Sequence, residues 1–261
     1  MSFARTRWGL FAVILAATLV VGTLVLGSRP DSHRTESAAQ RAGTESSARV
    51  IARLHALPHQ ERLTVDAAVA RLRAMRPVTA RTSTTYPAVA HSARQEPDLY
   101  AAAFTKRLLT QDYRSGRGSL LAWVQSESVT SNEPSVVALT PPSLRDRLAV
   151  ASVADASDGQ APIPSAQTWA DVGHHHAYTT VAIRRVITPP TWTTAVANGN
   201  VSDPGVTARE VDADLTLHTR DAGKARTRTY SVALTMNLEG PPTRDSWGFV
   251  TAVTYRAEEA N

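Results

Sequence analysis

Three consecutive histidines, His174 to His176, are the residues of this chain that most suggest chemistry. Imidazole nitrogens bind Zn²⁺, Cu²⁺ or Ni²⁺ when several converge on one ion. Neighbouring residues of a strand point to opposite faces, so three in a row cannot all face one ion from regular structure. Asp171 is the only carboxylate nearby in the sequence, and there is no cysteine. We interpret the triplet as an incidental surface feature, with a weak metal site as the alternative, and assign no metal ligand.

Two acidic patterns raise the question of acid–base chemistry. Asp112 and Tyr113 are the residue types that ketosteroid isomerase uses when both face one apolar pocket. They are adjacent here, so we expect one side chain in solvent and the other in the core. Asp212 and Asp214 share a strand face, and their alternation with apolar residues predicts that this face is solvent-exposed. No Gly-x-Ser-x-Gly, Walker-type loop or His-Glu-x-x-His motif is present, so we predict no catalytic residue, no cofactor and no enzyme.

Four aromatic side chains are better suited to the core or to a protein interface than to ligand stacking. They are Trp192, Trp169, Trp247 and Tyr255. Trp192 lies in Pro189–Gly205, which interrupts the strand pattern and which we call the insertion. Within the insertion, residues 191–198 are expected to form a short helix, and a turn follows at residues 203–205. Trp192 is therefore the foremost interface candidate.

The elements that must position these residues begin with an uncharged apolar run, Trp8 to Gly27. A transmembrane helix needs about 20 apolar residues, and this run is long enough. A cleaved signal peptide is the alternative, but its apolar core is shorter, and no clean Ala-x-Ala site follows this run. We predict an uncleaved single-pass anchor, with residues 1–7 in the cytoplasm and the bulk of the chain extracytoplasmic. Arginines on both flanks nearly balance, so the orientation depends on the long C-terminal part.

The composition of the chain excludes some kinds of chemistry and argues against some kinds of partner. The chain has 261 residues, a net charge of +5 and no cysteine, so disulfides and thiolate chemistry are excluded. Its basic residues are almost all arginine and are scattered, which indicates a solvated basic surface and argues against nucleic acid as a partner. The bias toward arginine, alanine and valine is typical of GC-rich coding, as in actinobacteria.

Two polar regions separate the predicted anchor from the main domain. Residues 28–47 are small and polar without apolar periodicity, as in a tether. Residues 48–94 contain two amphipathic helical stretches and a Thr/Ser-rich linker. We expect the second stretch to begin at an N-cap, Thr64, because apolar residues recur at helical spacing after it.

The main domain is predicted to span residues 95–261. Helices are expected to begin at Pro97 and Ser119, and a third to be capped by Ser143 and Asp146. Beyond residue 167 the apolar period changes to two, and four strands joined by short turns predict an antiparallel meander. The expected fold class is α+β, with about three helices packed on a curled antiparallel sheet of about four strands.

The stretch from Leu99 to Val124 resembles two groups of actinobacterial membrane proteins. The resemblance rests on Phe104, Leu108-Leu109-Thr110, Asp112-Tyr113-Arg114 and Trp123. One group is the bitopic assembly subunit of type IV secretion and conjugative-transfer systems, and the other is the mammalian-cell-entry-associated membrane proteins. Both have an N-terminal anchor and an extracytoplasmic cone-shaped domain of the nuclear-transport-factor-two type. Pro189-Pro190-x-Trp192 and the segment 203–209 are more similar to the conjugation group.

This resemblance implies a scaffold of a conjugative or type IV secretion-like complex in the cell membrane. Its partners would be the cytoplasmic membrane, other subunits of that complex and further copies of itself. An accessory role in a mammalian-cell-entry lipid transport system is one alternative, and a cone domain that binds a small apolar ligand is another. Neither group supplies a catalytic set that maps onto these residues.

Overall fold

The computed structural model describes residues 59–154, 160–221 and 223–260. These residues form seven α-helices, two short 3₁₀ helices and one four-stranded sheet. The α-helices are α1 (His59–Ala74), α2 (Pro97–Leu109), α3 (Arg117–Glu127), α4 (Pro134–Val137), α5 (Leu148–Val153), α6 (Ala166–His174) and α7 (Pro190–Ala197). The 3₁₀ helices are Ala93–Gln95 and Pro142–Arg147. The strands are β1 (Tyr178–Ile187), β2 (Val206–Asp221), β3 (Lys224–Glu239) and β4 (Gly248–Glu259).

The predicted α+β class and the antiparallel sheet are confirmed. Strands pair in chain order, β1-β2-β3-β4, and every pair is antiparallel. The described residues contain more helices than the three or so expected, because short helices occupy the connections. Helices α4, α5 and α7 have 4, 6 and 8 residues, which is too short for a periodic apolar signal.

The sheet has one face covered by helices, which we call the inner face, and an opposite outer face. Val211 pairs with Leu234, and Leu234 pairs with Tyr255, which places these three side chains on the inner face. Residues that alternate with them, including Asp212, point outward. The period-two pattern of β2 and β3 therefore predicts the faces correctly.

The core between α2 and the inner face is filled by stacked aromatic rings. Phe104 of α2 lies 4.3 Å from Phe249 and 5.1 Å from Trp123, measured between ring centroids. Tyr100 stacks on the same ring at 6.0 Å. All four side chains are buried. Pro97 begins the helix as expected. Of the apolar residues expected on its buried side, Phe104 and Leu108 are in the core, whereas Leu99 is 51% exposed.

Three predicted helix starts are wrong, the first being Ser119, since α3 begins two residues earlier, at Arg117. Helix α1 begins at His59, so Thr64 lies inside the helix and is not its N-cap. The expected capping box is absent, because the 3₁₀ helix Pro142–Arg147 starts at a Pro-Pro pair and has no side-chain cap. Ser143 therefore lies within that helix, and α5 follows only from Leu148.

The packed domain extends N-terminally beyond residue 95. Tyr86 and Val89, in the segment expected to be a linker, are buried in the same core as Phe104. The amphipathic face of α1 also packs, since Val69 and Leu72 are buried against Leu144. The composition of segment 79–94, which is rich in Thr and Ser, led to the prediction of a linker. Its few apolar residues are nevertheless enough to pack the segment onto the core.

Several predictions concern residues outside the described part of the chain. They are the cytoplasmic tail (1–7), the anchor (8–27), the tether (28–47) and the first amphipathic stretch, which ends at Leu57. Within the described residues, no helix combines the length and the apolar character needed to cross a membrane.

Candidate functional site

The histidine triplet lies at the end of α6 and in the turn that follows, not in a strand. His174 is the last helical residue, and all three histidines are exposed. His176 has a φ of 52°, which turns the chain toward β1. Among the residues that the structure describes, no group of three or more His, Asp or Glu side chains is placed to hold a metal ion.

Asp112 and Tyr113 diverge, as expected for adjacent residues. Arg114 donates from Nε and Nη2 to the two carboxylate oxygens of Asp112, at 2.9 and 2.7 Å. These hydrogen bonds lower the pKa of Asp112. Tyr113 instead packs on Trp169, with ring centroids 4.8 Å apart, and burial raises its pKa to about 12. An ion-paired carboxylate and a core phenol do not form an acid–base pair.

Asp212 and Asp214 form cross-strand ion pairs on the outer face. Arg185 Nη2 lies 2.6 Å from Asp212 Oδ2, and Arg184 Nε lies 2.6 Å from Asp214 Oδ2. The arginine side chains are 65% and 60% exposed, so solvent screens both pairs. The solvent-face prediction is confirmed, and each carboxylate is occupied by a guanidinium.

Three of the four aromatic candidates lie in or against the core. Trp169 is buried and donates from Nε1 to the Ser115 carbonyl at 2.9 Å. Trp247 is buried, and Tyr255 is half-buried beside the same core cluster. Their side chains stabilise this chain's own fold, whereas Trp192 remains partly exposed. An interface role for each stays a prediction.

Trp192 belongs to α7, which forms within the insertion as predicted. Pro190 occupies the first turn of α7, where its missing N–H costs nothing. The indole of Trp192 packs against Val136, Val206 and Val250 at one end of the outer face. No residue of α7 is buried, and Val196, one turn after Trp192, is 51% exposed.

The insertion carries almost no charge. Asp203 is the only charged residue of the insertion, Pro189–Gly205. Helix α7 itself has the sequence PTWTTAVA. An isolated helix of eight residues is not stable in water. Contacts with the rest of the domain must therefore hold α7 in place.

Glu133 holds the base of the insertion. Its Oε2 accepts from the Ser202 N–H at 3.0 Å, the Ser202 hydroxyl at 2.8 Å and the Asp203 N–H at 2.9 Å. Its Oε1 accepts from the N–H and hydroxyl of Ser135 at 3.2 and 2.9 Å. Although Glu133 is only 2% exposed, its carboxylate is fully hydrogen-bonded by neutral donors. It ties the insertion to the start of α4.

The turn between β3 and β4 holds the insertion from the other side. Asp203 Oδ1 accepts from the Thr243 hydroxyl at 2.5 Å and from the Gly205 N–H at 2.8 Å. Arg244 in the same turn donates to the Thr130 carbonyl and, at 2.7 Å, to Glu239 Oε1. The apolar helix is therefore presented on a fixed support.

Sequence analysis missed Val196 and Glu133. The order Glu-Pro-Ser at residues 133–135 is an N-cap pattern, and Glu133 does cap α4 by accepting from Ser135. The lack of lysine, arginine and glutamate across the insertion was a second available signal. Nothing local to either segment indicates that the two would meet.

Comparison with known proteins identifies no relative of this chain. No protein-family model, no curated protein and no solved structure matches this chain. The surface of α7, with Trp192 and Val196 on its support, is the feature from which function can be inferred.

Proposed function

We propose that this protein is a non-enzymatic, membrane-anchored scaffold that acts through protein–protein contacts, and that α7 is one of its contact surfaces. The observation that carries the proposal is an uncharged apolar helix with no buried residue, held rigidly outside the core. Interface centres are depleted in charge and enriched in tryptophan. Trp192 and Val196 have that composition.

Rigidity adds to the case for an interface. Ordering a loop on binding costs free energy that reduces affinity, and a surface that is already ordered avoids that cost. Glu133 orders the insertion, because its carboxylate accepts hydrogen bonds both from Ser135 at the start of α4 and from Ser202 and Asp203 in the insertion. A surface helix without a binding role would not need a buried carboxylate to hold its connection to the domain.

The complex we propose is of the conjugative or type IV secretion kind, with the chain anchored by Trp8–Gly27 and its bulk extracytoplasmic. The sequence resemblance and the apolar run support this context. The small-ligand alternative is less favoured, because stacked rings of Phe104, Trp123 and Phe249 fill the space between α2 and the sheet. The lipid-transport alternative shares the anchor and differs in its partners.

The test is crosslinking and purification of the tagged full chain from its native membranes. Val196→Arg should abolish or strongly reduce the recovery of the other subunits, because it places a charge in the centre of the contact. Leu99→Arg is the matched control, since Leu99 is equally exposed at 51% but lies on α2. It should leave recovery unchanged.

The recovered subunits also decide the context. A secretion ATPase and channel subunits support the proposal, whereas lipid-import permeases support the alternative. A wild-type chain that stays monomeric, or a Val196→Arg variant that recovers the same subunits as the wild type, would overturn the role of α7.

A further inference from the structure

The hairpin of β2 and β3 projects beyond the rest of the sheet. Strand β1 begins its pairing with β2 at Tyr178↔His218, and β4 ends its pairing with β3 at Tyr230↔Glu259. Beyond those positions, the backbones of β2 and β3 continue to pair with each other as far as Asp221↔Lys224. At about 3.3 Å per residue, the projecting ribbon is on the order of 10 Å long.

One face of β3 carries a row of cations, of which two lie on this ribbon and Arg228 lies at its base, opposite Leu217. Lys224, Arg226 and Arg228 alternate with Ala225, Thr227 and Thr229 along β3. Alternate residues of a strand share a face, so the three cations lie on one side at about 7 Å intervals. Their face continues that of Tyr230 and Val232, beyond the end of the core. We call Lys224, Arg226 and Arg228 the cationic row.

The cationic row is exposed and carries no ion pair with any residue that the structure describes. By contrast, Arg184 and Arg185 on the outer face each have a carboxylate 2.6 Å away. Three like charges along one strand face repel one another, while Asp221, paired in register with Lys224, brings one negative charge to the same end of the hairpin. The row therefore has the character of a binding surface.

The hairpin is held in place near its tip. The Arg220 N–H, one residue before the last pair of the hairpin, donates to the His175 carbonyl at 2.8 Å, which joins β2 to the turn after α6. Gly223 has a φ of 79°, as required by the tight turn at the tip. The cations are thus displayed on an ordered ribbon.

We propose that the cationic row binds the anionic phospholipid headgroups of the membrane to which the chain is anchored. The inference rests on the membrane location in the proposed function, and it assigns a contact separate from α7. The next side chain on this face after Arg228 is Tyr230, which is half-buried and so offers no open ring on which a base could stack. The predicted extracytoplasmic location of the domain also favours a lipid surface over nucleic acid.

The tether makes this contact attainable. Twenty residues, 28–47, separate the predicted anchor from residue 48, and a flexible coil of that length spans about 25 Å root mean square. The domain then remains within reach of the surface that holds the anchor. Each basic residue at an anionic membrane strengthens binding on the order of fivefold, and the effect decays over a Debye length of about 8 Å. A ribbon that projects the cations outward places them within that range.

The experiment uses the cysteine-free full chain with a single substitution, Ala225→Cys, labelled with a fluorophore beside the hairpin tip. The protein is reconstituted into vesicles of phosphatidylcholine alone or with about one third phosphatidylglycerol, each carrying a headgroup quencher. We expect strong quenching only in the phosphatidylglycerol vesicles, and loss of that quenching at about 1 M salt.

Lys224→Gln, Arg226→Gln and Arg228→Gln together should reduce the quenching at least tenfold, following the estimate of about fivefold for each cation. The control combines Arg76→Gln, Arg81→Gln and Arg256→Gln, which removes the same charge from exposed positions elsewhere. This control should quench as the wild type does.

Equal quenching in both vesicle types, or equal loss in both triple variants, would overturn the proposal. Protection of the label by DNA but not by phosphatidylglycerol would also overturn it, in favour of a nucleic-acid surface. Flotation of the chain with neutral vesicles is measured separately. Failure to float would contradict the anchor of the proposed function, whereas normal flotation without tip quenching would contradict only the cationic row.

Discussion

Glu127 and Glu133 are both almost fully buried, but the chain satisfies their charges in different ways. Glu127 Oε2 accepts from Arg94 Nη2 at 2.6 Å, and its Oε1 accepts from the Val89 N–H at 3.0 Å. Burial nevertheless raises the pKa of Glu127. Glu133 is held by N–H and hydroxyl donors alone. Each joins segments far apart in sequence.

Glu127 gives the fold a definite pH dependence. Because its folded pKa is raised, the folded chain holds this proton more tightly than the unfolded chain does. That stabilisation is complete below the ordinary pKa of glutamate and is lost as pH rises through the folded value. We expect the free energy of unfolding of the wild type, relative to Glu127→Gln, to fall as pH rises above the ordinary pKa of glutamate.

Urea denaturation of the full chain in micelles, followed by tryptophan fluorescence, measures this difference. Glu258→Gln is the control, since Glu258 is exposed and should show no such trend. A stability difference for Glu127→Gln that stays constant or rises with pH would contradict the expectation.

Glu133→Ala should destabilise the protein by about 3 kcal/mol. The substitution removes the acceptor of the Ser202 and Asp203 N–H groups, and a hydrogen bond to a charged group contributes roughly 1.5–3 kcal/mol. It should also weaken partner recovery although Trp192 and Val196 are unchanged. Denaturant unfolding measures the loss, and a change below about 1 kcal/mol would show that Glu133 does not hold the insertion.

At the scale of elements, close packing at glycines fixes how the β3–β4 turn meets the core. A Cβ at Gly240 would lie 2.6 Å from Trp247 Cε3, well inside van der Waals contact. Trp247 is buried and cannot move freely away. The turn that supports the insertion therefore depends on Gly240 for its approach to the core.

Gly240→Ala should destabilise the protein by about 1–3 kcal/mol through overpacking. Gly118→Ala is the matched control, because a Cβ at Gly118 in α3 meets nothing within 4 Å. There the same change should stabilise by about 0.5–1 kcal/mol, since alanine is the better helix former. Thermal unfolding of both variants separates the two effects, and equal shifts in Tm would contradict the account.

At the scale of the whole molecule, the core cannot be divided at the boundary expected from the sequence. Tyr86 and Val89 fill the core, and Arg94 compensates the charge of Glu127. A chain that starts at residue 95 would lose all three contacts. It would keep Glu127 buried without its cation.

A chain starting at residue 95 should therefore fail to unfold cooperatively, whereas one starting at His59 should melt in a single transition. Breaking a buried ion pair alone costs about 3–5 kcal/mol, a large part of the 5–15 kcal/mol that stabilises a typical domain. Calorimetry of the two truncated chains measures the difference. A cooperative transition in the shorter chain would place the domain boundary where the sequence suggested it.

Patterns that repeat along the chain were sufficient for part of this description. The period-two alternation in β2 and β3, the apolar stripe of α2 and the turn signals identified the α+β class, the strand order and the solvent face of Asp212. These predictions hold because a regular element imposes its own period on the residues that it buries. The short helices and the start of the 3₁₀ helix Pro142–Arg147 were not predicted correctly, because an element of one or two turns contains no repeating pattern.

The sequence by itself determined the class of the fold, the order of the strands and which residues alternate on each face. Only the tertiary structure decided that Glu133 holds the insertion, that Tyr86 belongs to the core and that Val196 is left exposed. These features depend on contacts between segments tens of residues apart, and no local pattern specifies the partner. The cationic row is local in sequence, at every second residue from Lys224 to Arg228, and the tertiary structure adds that this part of the hairpin continues past the ends of β1 and β4.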